Sequence, residues 1–192
     1  MMNREAHRLT YQVELPGGRT RLREMILYVS ERALTMPRWG KTKLNKILWD
    51  ADFSAYRDRT TPITGRPYQR LKAGPAPIEM PVVLAEMEGD GLIEIEPFLI
   101  GNHQEQRIVA KAKPSLHFFS PDDLKYMDEA IQRFWNMSAA EASAESHGVA
   151  WKTRNDLDPL PYEAALFSDE TLAGRSLVRI KELARDQGWK SE

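Results

Sequence analysis

From Thr20 onward the chain falls into a helical period. Leu22, Met25, Ile26, Val29 and Ala33 recur at spacings that bring side chains onto one helix face. This predicts a first helix, which "MPRWGK" ends. The same spacing returns at Leu44, Ile47, Leu48, Ala51 and Ala55, with a second apolar stripe of Trp49, Phe53 and Tyr56 beside it. A helix apolar over so much of its girth must be covered on several sides, so this segment is predicted to be the central one, with Thr42 as its N-cap. Ile78–Met87 predicts a third helix entered through Pro77 or Pro81, since proline is tolerated in a first helical turn.

The period then changes. "LIEIEPF" alternates as a strand does and "QRIVAKAK" as its return, which predicts an antiparallel hairpin with "LIGNHQE" as a long loop. In "FFSPDDL", Ser120 is placed as N-cap, Pro121 at the first helical position and Asp123 at the capping-box position, ahead of Leu124, Met127, Ile131 and Phe134. "SAAE" at 138–141 is a second capping box, leading a short helix toward Gly148. "RNDLDPLPYE" is a loop, and Ser168 opens a last helix with Ala173, Leu177, Ile180 and Ala184 on one face. The expectation is a mainly α, α+β fold: a compact multi-helix domain with a small antiparallel β-hairpin. Residues 1–18 form an N-terminal arm, 19–167 the domain, and 168–192 a C-terminal helix packed on the domain or extending from it.

One stretch breaks the helical pattern. Residues 61–81, "TPITGRPYQRLKAGPAPIEMP", hold five of the chain's twelve prolines and two of its eleven glycines. Each proline fixes its own φ and pushes the preceding residue out of the helical region, which predicts an ordered, extended connection that costs little entropy to hold still. Two readings fit it. Arg66, Arg70 and Lys72 beside Tyr68 could present a recognition surface on a rigid loop. Alternatively Ile63, Tyr68 and Leu71 pack inward and the basic side chains only face water.

Composition narrows the function classes. The 192 residues suit one domain, and the hydrophobic share of 42% supplies a core. The absence of cysteine removes disulfides, thiolate zinc sites and cysteine nucleophiles. The opening "MMNREAHRLTYQVELPGG" lacks the apolar segment of a signal peptide and no run approaches a membrane-spanning length, so a cytoplasmic protein with no membrane partner is expected. With 27 Lys and Arg against 28 Asp and Glu, the net charge of −1 exerts no long-range pull on phosphate backbones.

The candidate chemistry is sparse. Nucleophile-elbow, phosphate-loop, dinucleotide and zincin patterns do not occur. Ser146 and His147 adjoin in "ESHGVAW", but neighbouring helical residues point about 100° apart and so do not pair by adjacency. His147 is better read as a helix-end residue covered by Trp151. Asp50 and Asp52 diverge on a helix, with Asp50 placed to pair with Lys46 at i−4, and no His or carboxylate spacing suits a metal. No cofactor is expected. A helix followed by a hairpin could read DNA, but the third helix carries Glu79, Glu86, Glu88 and Asp90 and no basic residue. DNA therefore ranks as a minor partner, through the hairpin and the basic groups Arg19, Arg21, Arg23 and Arg107, Lys111, Lys113.

Taken in order, "KTKLNKILWDADFSAYRD", "PITGRPYQRLKAGPAP", "FFSPDDLKYMDEAI", "SAAEASAESHGVAW" and "PLPYEAAL" resemble the Panacea domain of the SocA-like antitoxin family, from about Gly40 to Leu166. The family pattern falls on Lys43, Leu44, Lys46, Asp52, Gly65, Tyr68, Gly74, Pro75, His147 and Trp151. Trp49 stands where a smaller aromatic is usual and Ala76 where a valine is. The first 18 residues and the last helix lie outside the resemblance. It implies a mostly helical domain that neutralises a cognate protein toxin by direct contact, the toxin's identity being open. One family member is a proteolytic adaptor that hands its toxin to an AAA+ protease, so an AAA+ protease is a further implied partner. Within that reading Arg66, Tyr68, Arg70 and Lys72 are the candidate partner-binding residues, with Tyr68 anchoring the loop against the aromatic stripe. A DNA-associated regulator ranks second, and a hydrolase using Ser146 and His147 a remote third.

Overall fold

The computed structural model describes residues 9–100, 103–152 and 154–167. Its elements are α1 (Arg19–Arg32), α2 (Lys41–Arg59), β1 (Tyr68–Gln69), β2 (Ala76–Pro77), α3 (Met80–Gly89), β3 (Ile93–Ile100), β4 (His103–Ala110), α4 (Pro121–Phe134), α5 (Ala139–Glu145), α6 (Val149–Lys152) and β5 (Pro159–Leu160), with 3-10 turns at Leu116–Phe118 and Tyr162–Phe167. The fold is α+β, mainly helical, with two small antiparallel sheets. The predicted last helix at 168–192 lies outside the described residues.

Helix α2 is central, as its two apolar stripes predict. It packs against α1, α4, α5, β4 and the 162–167 turn. Leu44, Ile47, Leu48 and Ala51 are wholly buried in the main core with Leu22, Met25 and Ile26 of α1 and Met127 and Ile131 of α4. Each such Leu or Ile contributes roughly 1.5–3 kcal/mol by leaving water. The second stripe makes a separate aromatic cluster: Phe53 and Tyr56 meet Tyr68, Leu160 and Tyr162. The N-cap of α2 is Gly40, two residues before the expected cap Thr42, whose hydroxyl instead donates to Glu105 of β4 at 2.9 Å.

Several boundaries differ from the sequence expectation for physical reasons. Helix α3 starts at Met80 and not at Ile78, because the Ile78 amide donates to Pro67 O at 2.9 Å and so belongs to the loop. The hairpin has no long loop: its ladder runs from Ile93↔Ala110 to Ile100↔His103, so most of "LIGNHQE" is strand. Pairing satisfies backbone groups that a loop would leave to water. Its inner face carries Ile93, Ile95 and Ile108, and Trp39 Nε1 donates to Ile108 O at 2.8 Å. The second sheet, in the order β2-β1-β5, was not expected. It joins the proline-rich loop to "PLPYE" through the pairs Tyr68↔Pro77 and Tyr68↔Leu160.

Both capping boxes form. Ser120 and Asp123 exchange bonds at 3.1 and 2.9 Å, and Ser138 and Glu141 at 3.2 and 2.7 Å. Helix α5 stops at Glu145, however, and Gly148 accepts from the amides of Trp151 and Lys152, so it opens α6 and does not close α5. The described part of the arm is an ordered edge. Val13 N donates to Gly65 O at 2.9 Å, and Tyr162 N to Thr10 O at 2.7 Å.

Asp123 also holds two arginines. Arg21 of α1, itself buried, lies at 3.4 Å, and Arg59 at the end of α2 bonds its other oxygen. Removing the serine therefore costs only a cap, while removing the carboxylate strands a buried guanidinium. Ser120→Ala is expected to lower stability by about 1 kcal/mol and Asp123→Ala by about 3 kcal/mol. Urea denaturation of both variants checks this, and equal losses would mean that Asp123 acts as a cap alone.

Candidate functional site

The site is assembled around the loop at 61–77 and the side chains of α2 beneath it. Asp52 is wholly buried, and its carboxylate accepts the amides of Ile63 and Thr64, both at 2.7 Å, the Thr64 hydroxyl, and the Tyr68 hydroxyl at 2.8 Å. Burial pushes the Asp52 carboxyl above its ordinary value, while the bonds from Thr64, Tyr68 and Ile63 favour the ionised form. Burial likewise raises the Tyr68 hydroxyl well above its usual range, so it stays protonated and donates. Edge-on packing of Tyr68 against Phe53, with ring centroids 5.4 Å apart, seats the loop on the aromatic stripe.

The loop's bends use its glycines. Gly65 has φ +68°, and a Cβ there would overlap the carbonyl oxygen of Val13. Gly74 has φ +98°, and a Cβ would come within 2.7 Å of Lys46 Nζ and closer still to Ser146 Oγ. Loop, α2 and the end of α5 therefore converge at Gly74. Lys46 is 1% exposed and its ammonium donates to Pro75 O at 3.0 Å. With desolvation unopposed, its pKa falls to about 7. Asp50, expected beside Lys46, lies 3.4 Å from Arg133 of α4.

On the far side of the loop three side chains stack. The Arg70 guanidinium sits 4.0 Å over the Trp151 ring, and His147 lies parallel to that ring with centroids 3.6 Å apart. Trp151 Nε1 donates to Leu71 O at 3.0 Å. His147 Nε2 faces Ser143 Oγ at 3.2 Å, and Ser146 Oγ donates to Ser143 O at 2.8 Å, so both neighbours turn to Ser143 and not to each other. Burial, then the cations Lys46, Arg70 and Lys152, lower the His147 pKa and favour the neutral ring. His147 is thus a helix-end residue covered by Trp151, as the sequence indicates. Beside this stack opens a groove of about 770 Å³ between α2, α5, α6 and the 162–167 turn, with Trp49, Phe53, Met137, Trp151 and Leu160 among its walls.

The ten family-pattern positions occupy two places. Lys43 and Leu44 lie at the start of α2, where buried Lys43 donates to Pro37 O at 2.7 Å and Trp135 O at 3.2 Å. Burial, then nearby Arg38, lowers its pKa to about 8. Lys46, Asp52, Gly65, Tyr68, Gly74, Pro75, His147 and Trp151 gather around the loop. Of the four candidate partner-binding residues, Tyr68 is 1% exposed and Arg66 is held by Glu79 in a two-pronged pair at 2.8 and 2.6 Å. Arg70 is partly covered by its stack, and Lys72 is exposed. Sequence reasoning gave no role to Thr64, Tyr162 or Glu163. Tyr162 OH donates to Arg66 O at 2.7 Å, and Glu163 accepts from Tyr56 OH at 2.8 Å and from the Thr10 amide at 2.9 Å. Only the presence of Tyr162 in "PLPYEAAL" signalled it. Among the described residues, no group of three or more His, Cys, Asp or Glu could hold a metal, and no helix is long and apolar enough to cross a membrane.

Two outcomes follow for stability. Gly74→Ala is expected to destabilise the fold by about 2 kcal/mol or more, from strain at positive φ and the clash with Ser146; a loss under about 0.5 kcal/mol in urea titration would contradict the packing described. Lys46 binds its proton more weakly folded than unfolded, so the unfolded chain carries the extra proton between about pH 7 and the ordinary lysine value of 10.5. Stability should rise with pH across that window, by up to about 1.4 kcal/mol per unit, relative to a Lys46→Met variant. Parallel profiles for the two proteins between pH 6 and 10 would place the titration elsewhere.

The geometry agrees with the similarity found by comparison with protein families. The family model described as antitoxin SocA-like, Panacea domain, matches residues 44–152, spanning α2, the proline loop, the hairpin, α4, α5 and α6. No curated protein and no solved structure matches the chain significantly. With more than half its length matched by that model, the chain belongs to the SocA-like antitoxin family of Panacea domains.

Proposed function

We propose that this protein is an antitoxin that neutralises a protein toxin by direct contact and without chemistry of its own. The observation that carries the reading is family membership across α2, the loop and α6. The site's polar groups support it: Asp52, Lys46, Ser146 and His147 are all engaged in holding backbone or neighbouring side chains. That is the arrangement of a rigid binding scaffold, which loses little freedom on association. The edge of the partner surface in this reading is the loop tip at Lys72 with Arg70 beside it, and Tyr68 serves as the anchor beneath.

DNA reading by the hairpin has less support. Lys111 pairs with Glu94 and Lys113 with Glu31, so these two cations are already matched on the protein surface, while Arg107 lies 5.3 Å over the Phe98 ring. Helix α3 presents Glu86 and Glu88.

Co-expression with the neighbouring reading frame of the native locus tests the proposal. Restored growth together with a co-purifying complex is the expected result. A harmless neighbour that forms no complex would overturn it. Toxin abundance separates direct inhibition from adaptor action, since an adaptor lowers the toxin level in cells with an intact AAA+ protease and an inhibitor leaves it unchanged.

A further inference from the structure

Among the described residues other than glycine, three have a positive φ, and two of these have a local reason for it. Thr60, at +60°, closes helix α2 with its amide on Tyr56 O, a place where left-handed residues are usual. Arg38, at +54°, sends its guanidinium to Asn136 O. The third is Leu157, at +69°. It belongs to neither apolar cluster and is 64% exposed, so the fold does not use its side chain.

The turn that holds it is well bonded. Asp158 N donates to Asn155 O at 3.1 Å, which closes a β-turn with Asp156 and Leu157 at its centre. A turn whose second central residue alone has positive φ takes glycine or asparagine there, because a bulky side chain crowds the backbone. Leucine is strained at that position. Its surroundings keep it in place: Leu157 N donates to Arg70 O at 2.8 Å, Arg70 N to Asp158 O at 2.9 Å, and Asn155 N to the Asp158 carboxylate at 2.8 Å. A local rule broken with no gain to the fold points to a side chain that acts on something outside it.

The same bonds fix where the leucine stands. They continue the β1–β5 pairing beyond Gln69↔Pro159, so the turn lies against the loop tip that begins at Leu71. Of the charges here, Arg70 and Asp156 face each other at 3.5 Å and Asp158 holds the Asn155 amide. Lys72 is exposed and has no carboxylate partner among the described residues. The patch therefore presents one apolar side chain on a rigid turn and one unmatched cation on the neighbouring loop tip.

We propose that Leu157 is a contact residue of the toxin interface, entering an apolar pocket of the toxin whose rim offers a carboxylate to Lys72. The proposal rests on the antitoxin reading and extends its surface from the loop tip to the 155–158 turn. Because the turn is already fixed, the leucine loses little freedom on binding. Burying it changes affinity by about tenfold or more.

The test uses the full chain and the product of the neighbouring reading frame. Leu157→Gly and Leu157→Ala are compared by calorimetry with Leu99→Ala, which alters a leucine 73% exposed on the hairpin. Both Leu157 variants are expected to weaken the complex about tenfold or more, and Leu99→Ala by less than about twofold. Lys72→Glu is expected to weaken it by a factor that shrinks as salt is raised. In urea, the free Leu157→Gly chain is expected to unfold at a midpoint no lower than that of the unaltered protein and above that of Leu157→Ala, since glycine alone relieves the turn. Unchanged affinity in the Leu157 variants or in Lys72→Glu would overturn the proposal and leave the antitoxin reading standing. So would a lower midpoint for Leu157→Gly, which would make the leucine a support of the fold, or an equal loss of affinity in Leu99→Ala. Failure of the unaltered protein to bind would overturn both.

Discussion

Asp52 projects from the middle of α2 into the wholly buried interior, and a carboxylate placed there must find donors or fail to ionise. It finds four, and all belong to the loop: two amides, a threonine hydroxyl and a tyrosine hydroxyl. The loop in turn cannot take that path without Gly65, whose conformation lets the arm cross at Val13. Tyr68, once held by Asp52, sets the register of β1 between β2 and β5. That pairing draws Tyr162 and Glu163 into the aromatic cluster and brings one wall of the groove into place.

The loop's other end is held in a different currency. Lys46 is as buried as Asp52, but its partner is a carbonyl oxygen, so the ammonium is desolvated without a neutralising carboxylate. Lys43 repeats the arrangement at the start of α2, on the carbonyls of Pro37 and Trp135. Both lysines tie irregular backbone to the central helix where no regular hydrogen-bond ladder could. The cost is a cation in low dielectric; the gain is a loop and a helix turn with their carbonyls satisfied. A loop supported in this way is preorganised.

The basic residues that make the sequence look ready to bind are for the most part already matched. Arg66 is spent on Glu79, Arg21 and Arg59 on Asp123, and Lys111 and Lys113 on hairpin and α1 carboxylates. The exposed pairs of Lys111 and Lys113 add little to stability, but they flatten the surface potential and discourage nonspecific binding to polyanions. What remains at the surface around the loop is an ordered tip at Lys72, a stacked Arg70–Trp151–His147 triplet and a groove of mixed apolar and charged lining.

Local rules made much of the fold legible. The two stripes of α2 identified the central helix, Ser120 and Ser138 marked helix starts through their capping boxes, and the alternation of "LIEIEPF" identified the hairpin, because each signal depends on residues a few positions apart. The motif order around the proline loop pointed to the antitoxin family for the same reason. Only the tertiary structure decided that Asp52 gathers the loop, that Lys46 turns to Pro75 and not to Asp50, and that β5 pairs with β1. It also decided that Glu163 clasps the arm and that Tyr68 lies inside and not on the surface. These outcomes rest on contacts between residues far apart in sequence, where burial and the need to satisfy every polar group select one partner among many. Spacing along the chain carries no record of that choice.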